Sequence, residues 1–175
     1  SRLKTDPAQP LDGTQKRILD AELLSMQHRG VGLRGAEQAD FNTTSERLAA
    51  LSTSFSNHVL DATQTWSLVI QERAQLNGVP DRALEILAAA AKEAGDQAAD
   101  GSEPSAAEGP WRLGLDMPRY IPVITHAKDR NLRETVYKAH VSRASTGDLD
   151  NAPLIEEILQ LRSEQAKRLG YANWA

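Results

Sequence analysis

Apolar residues recur along this chain mainly at helical spacing. Gln15 to His28 carries Ile18, Leu19, Leu23, Leu24 and Met26, an amphipathic pattern that ends at Gly30. Phe41, Leu48, Leu51, Phe55, Val59 and Ala62 are separated by 7, 3, 4, 4 and 3 residues. Those steps keep them on one stripe and predict a long helix from about Ala36 to about Asp61. The pattern then changes. Thr65-Trp66-Ser67-Leu68-Val69-Ile70 is short, β-branched and aromatic, and predicts a strand over 65–70. Asn77-Gly78-Val79-Pro80-Asp81 reads as a turn, with Asp81 placed to cap a helix buried through Leu84, Leu87, Ala88, Ala91 and Ala94.

Gly95 to Gly109 is rich in Ala, Gly, Ser, Asp and Glu, the composition of a flexible surface loop. Trp111-Arg112-Leu113-Gly114-Leu115 predicts a second strand, over 111–115, able to pair with the first. Pro118 opens a helix through Tyr120, Val123, Ile124 and Ala127, and another runs through Leu132, Val136, Tyr137, His140, Val141 and Ala144. Asn151, followed by Pro153 and by Glu156 and Glu157, starts a last helix filled by Leu154, Ile155, Ile158, Leu159 and Leu161. At the head of the chain, Asp6-Pro7 with Pro10 and Gly13 reads as a loop leading into the first helix. No repeat of solenoid length is present. The expected architecture is mainly α: a multi-helix array with one short two-stranded β-ribbon.

Composition narrows the function classes. The 175 residues, 40% of them hydrophobic, suffice for a core and suggest one domain. A net charge of −4 supplies no field for nucleic acid or an anionic membrane, and no apolar run is long enough to span a bilayer. With no cysteine, disulfide scaffolds, thiolate zinc sites and thiol catalysis are excluded. Ser1 and the residues after it do not resemble a secretory signal, which points to a cytoplasmic protein, or to a mitochondrial or plastid one if a targeting segment lies upstream. Tyr171 and Trp174 fall within the last five residues, where a finished domain seldom leaves large apolar groups, so the chain is expected to be part of a longer polypeptide.

Short motifs give little chemistry. Gly30-Val31-Gly32-Leu33-Arg34-Gly35 matches G-x-G-x-x-G, yet a helix precedes it where a dinucleotide site needs a strand, so Gly30 is read as a left-handed helix end. Asp148-Leu149-Asp150-Asn151 begins like a calcium loop, but Ala152 and Pro153 break the template. The sequon Asn42-Thr43-Thr44 lies within a predicted helix. His28, His58, His126 and His140 are never four apart, so two imidazoles cannot be aimed at one zinc in the H-E-x-x-H manner. Neither Ser54 nor Ser56 lies in a G-x-S-x-G elbow.

Charge placement offers two structural hypotheses. Between Arg119 and Arg143 six basic residues face two acids. That stretch is either a solvated helical face or a basic surface for carboxylates of a peptide or a neighbouring helix, with Arg119, Lys128, Arg130 and Arg143 as its members. Asp61 stands near the negative end of the long helix, with Asn57 one turn before it, and an acid there wants compensation. Arg133 is the expected partner.

The segment Ser56-Asn57-His58-Val59-Leu60-Asp61-Ala62-Thr63 resembles the thimet oligopeptidase and oligopeptidase A family of zinc metallopeptidases. The likeness continues through Leu76-Asn77-Gly78-Val79-Pro80 and through Leu115-Asp116-Met117-Pro118-Arg119-Tyr120-Ile121-Pro122-Val123. It is strongest in Arg130-Asn131-Leu132-Arg133-Glu134, and closes with Leu169-Gly170-Tyr171-Ala172-Asn173-Trp174. Nearly everything beyond Gly13 is covered, with the oligopeptidase A branch nearest. The resemblance implies that residues 1–175 are a partial helical region of a larger metallopeptidase fold that cleaves short peptides inside a channel. It also implies one zinc, held by H-E-x-x-H and a later glutamate, none of which this chain contains. On that reading the segment is channel wall and scaffold, inactive alone, whose partners are peptide substrates and the catalytic half of the same polypeptide. The alternative is a freestanding helical interaction module.

Overall fold

The computed structural model describes residues 11–175, so the expected loop at Asp6-Pro7 and Pro10 lies outside the described residues. Within them are six α-helices and one two-stranded antiparallel sheet. Where length alone suggests one domain, the chain packs as two compact units, one of residues up to Ser52 with Leu154–Ala175, the other Thr53–Pro153.

In the first unit, helix α1 (Gly13–His28) opens on a capping box in which Asp12 accepts from the Gln15 backbone N–H and Gln15 Oε1 accepts from that of Asp12. It stops where Gly30 takes φ +76°, with Gly30 N–H bonded to Gln27 O and Val31 N–H to Met26 O. That pair of bonds is a left-handed helix terminator, the role expected of Gly30. A Cβ there would lie 2.8 Å from the Phe41 ring. Helix α2 (Gly35–Thr65) overruns its predicted end by a turn, and Thr63 and Thr65 turn their hydroxyls back onto the Val59 and Asp61 carbonyls. Against its first half packs α6 (Ala152–Arg168), where buried Gln165 donates to Ser45 Oγ at 2.7 Å and Arg47 grips Glu157 with two bonds of 2.6 and 2.7 Å.

The second unit holds the main core. Strands β1 (Ser67–Ile70) and β2 (Trp111–Gly114) pair in the register Leu68 to Leu113 and Ile70 to Trp111. Helices α3 (Asp81–Glu93), α4 (Met117–His126) and α5 (Arg130–Val141) pack around the ribbon, burying Leu84, Leu87, Leu113, Leu115, Val123 and Val136. Trp111 is wholly buried, and its indole N–H donates to Ala106 O. The segment 95–109, predicted as a flexible loop, is tied at several points: Asp96 pairs with Arg112 at 2.6 Å, Lys92 with Glu103, and Ser105 bridges to Gly109. One predicted cap differs: Asp81 is the first residue of α3 and Pro80 its cap. The last helix begins directly after Asn151, as expected, and its first N–H, on Ala152, donates to Asp150.

Candidate functional site

The pairing expected of Asp61 does not form. Arg133 donates instead to the Ala127 carbonyl, closing the corner between α4 and α5, and the exposed Asp61 side chain makes no ion pair among the described residues. Asn57 is exposed one turn earlier on α2. A long arginine beside a helix end satisfies a C-terminal carbonyl more cheaply than it reaches an exposed acid, because the bond to Ala127 is local.

The basic stretch is likewise divided. Arg119 is bound to Asp116, the residue that caps α4, and Lys138 to Glu134 at 2.6 Å. Lys128 and Arg130 are exposed, with no ion pair among the described residues. Arg143 stands apart. Its Nε–H donates to His140 O at 2.8 Å and its Nη1 to Thr63 Oγ1 at 3.0 Å, so the end of α5 is fastened to the end of α2. No carboxylate among the described residues pairs with it.

Around Arg143 lies a small network that sequence reasoning did not assemble. The His140 ring stacks on Tyr120 with centroids 4.0 Å apart, and its Nε2 is buried without a hydrogen-bond partner. Burial, and then the charge of Arg143, hold the imidazole below its ordinary pKa of 6.5. After α5 the chain turns through Ala144, a buried residue at φ 52°, whose carbonyl accepts from Asn151 N–H. The Asn151 side chain, buried, donates to Phe55 O at 3.2 Å and lies 2.9 Å from His58 Nδ1. Since the amide nitrogen is committed to a carbonyl, its oxygen accepts, and His58 carries its proton on Nδ1. The signals available beforehand were the lone Arg143 and the polar Asn151; their partners are 80 to 96 residues away in sequence.

Next to Arg143 the surface of the second unit forms an open cavity of about 500 Å³, bordered by Trp66, Leu115, Ser142 and Asp148 among others. A second, equally open cavity of about 650 Å³ is bordered by Arg112, Arg119 and Ile86, with both arginines engaged in ion pairs. In the first unit a third, of about 350 Å³, lies among His28, Tyr171 and Trp174; His28 Nε2 is 3.1 Å from the Tyr171 hydroxyl. No group of three or more His, Asp or Glu among the described residues is placed to hold a metal ion. His28 and His58 are engaged with Tyr171 and Asn151, His140 with Tyr120, and His126 is exposed at the end of α4. The zinc that the resemblance implies finds no ligand set in these residues. No helix among them is long and apolar enough to cross a membrane.

The comparisons agree in one direction. Residues 123–175 match the model of peptidase family M3. The chain is 42% identical over 165 residues to a probable cytosolic oligopeptidase A of Arabidopsis thaliana, covering 94% of this chain and 23% of that protein. It is also 42% identical to the organellar oligopeptidase A (chloroplastic/mitochondrial) of the same plant, covering 94% of this chain and 20% of that protein. With oligopeptidase A of Escherichia coli the identity is 36% over 170 residues, 94% of this chain and 23% of the relative. The chain thus spans between a fifth and a quarter of the length of these curated relatives. Carried along nearly the whole chain, with the family model matched from the second half of α4 onward, this similarity means that the chain belongs to the thimet oligopeptidase and oligopeptidase A family of peptidases.

Proposed function

We propose that this chain is a helical portion of a zinc-dependent oligopeptidase that hydrolyses short peptides, and that it supplies scaffold and channel wall while the catalytic zinc and its ligands come from polypeptide outside these residues. The observation that carries the reading is 42% identity sustained over 94% of the chain to a protein more than four times its length. One feature of the structure supports it. Helices carry apolar residues in the open at one-turn spacing: Ile155 and Leu159 on α6 are 44% and 60% exposed, and Tyr137 and Val141 on α5 are 52% and 58% exposed. Stripes of that kind are expected of helices made to pack against further polypeptide.

The purified chain, supplied with zinc and short quenched fluorescent peptides, is expected to show no turnover above buffer. Chelator-sensitive hydrolysis by the chain alone would overturn the division of labour proposed here. On the same reading the parent works where its relatives do, in a cytosolic or organellar compartment, as the names of the two plant relatives say of those proteins.

A further inference from the structure

Arg143 is partly buried, fastened at two of its donors, and has no acid partner among the described residues. A guanidinium carries five N–H groups, and withdrawing such a cation from water without a counter-charge costs free energy. Burial, and then Arg143 itself, disfavour a charge on the neighbouring His140, so the permanent positive charge of this corner is the arginine's. The bonds to His140 O and Thr63 Oγ1 fix the guanidinium in place before any ligand arrives.

The cavity that Arg143 borders has about 500 Å³, within the range of small-ligand sites and enough for one or two amino-acid residues. Its wall sorts the possible ligands. Trp66, Leu115 and Leu149 offer apolar and aromatic surface, while Ser142 and Thr146 add hydroxyls. Asp148, on the short 3₁₀ turn Gly147–Leu149, brings one negative charge to the same wall. A phosphate or another polyanion would meet that carboxylate as well as the arginine and gain little. A ligand with one carboxylate and one ammonium satisfies both.

We propose that this cavity is a binding site for a free dipeptide in its zwitterionic form, with the carboxylate on Arg143, the ammonium toward Asp148 and an apolar side chain against Trp66 and Leu115. The ligand class follows from the charges on the wall and does not depend on the peptidase reading, so either can fail without the other. Chemistry of the same kind could reach Arg143 from an acidic side chain of another polypeptide segment; only the free dipeptide also needs Asp148.

The test is a titration of the isotopically labelled chain with alanyl-leucine, followed by NMR at the Trp66 indole N–H and the Arg143 side-chain N–H. Saturable shifts confined to the cavity are expected, with a midpoint in the millimolar range or below. Amidating the ligand's C-terminus is expected to weaken binding about tenfold, and Arg143→Gln to abolish it. Because Arg143→Gln also loosens the α2–α5 fastening, the exposed Asp148→Asn variant supplies an arm that leaves the fold intact. It should weaken the free dipeptide and leave N-acetyl-alanyl-leucine unchanged. No saturable shift at Trp66 up to about 10 mM ligand would overturn the site. Equal binding of free, amidated and acetylated ligands would overturn the zwitterion assignment.

Discussion

Gly78 shows how much a single residue can carry in this fold. It sits at φ +93°, and a Cβ on it would come 2.3 Å from the His126 carbonyl, at the corner where Lys128 N–H bonds Asn77 O at 2.7 Å. Neither the backbone conformation nor the close approach of α4 tolerates a side chain. Gly78→Ala is therefore expected to cost about 2–4 kcal/mol in urea unfolding. Gly32→Ala, with nothing within 4 Å of its Cβ and no positive φ, should shift stability by no more than about 0.5 kcal/mol. Equal effects would contradict the docking of that corner. His140 supplies the second residue-scale expectation. Its pKa is lowered by burial and by Arg143, so the unfolded chain binds more protons than the folded one below about 6.5. Stability should fall as pH drops through 6.5 toward the folded value and then level off. The carboxylates whose pKa is lowered, Asp100, Glu103, Glu134 and Glu157, act in a lower window and in the same direction. His140→Phe, which keeps an aromatic ring against Tyr120, should remove the upper step; an unchanged step would assign it elsewhere. At this scale the sequence shows where special residues lie but not whom they meet. Gly30 was readable as a helix end because termination is local, whereas Asp61 and Arg133 share no bond because Arg133 found a carbonyl six residues away.

Among the elements, period carried most of the information. The stripe from Phe41 to Ala62 gave α2, and the switch to a β-branched run gave β1, each within a few residues of its true bounds. The helices α4 and α5 follow their caps, Asp116 and Asp129, whose side chains accept the first free N–H groups. What period does not reveal is which stripe is covered inside this chain. Leu84 and Leu159 look equivalent on paper, yet Leu84 is 2% exposed and Leu159 60%. Leu84→Ala is expected to cost about 2–5 kcal/mol, while Leu159→Glu should leave the urea midpoint of this chain unmoved and lower its tendency to self-associate. A large loss of stability from Leu159→Glu would mean that the α6 stripe is core after all. The segment 95–109 teaches a related lesson: its composition suggested freedom, but Asp96, Glu103 and Ala106 each hold a partner that lies outside it.

For the whole molecule, the family was legible in the run from Leu115 to Val123 and the run from Arg130 to Glu134, because those residues build the α4–α5 corner. The Arg143 network was not, since Thr63, Asn151 and Tyr120 reach it only through tertiary folding. The central claim is that these helices form scaffold for catalytic machinery supplied elsewhere in a longer polypeptide. The most direct measurement replaces the matching segment of the E. coli oligopeptidase A relative with this chain and follows hydrolysis of a short peptide by the chimera. The account predicts a folded, chelator-sensitive peptidase with activity within about tenfold of its parent, since a scaffold swap alters positioning and leaves the reacting groups in place. A folded, metal-loaded chimera with no turnover would contradict it.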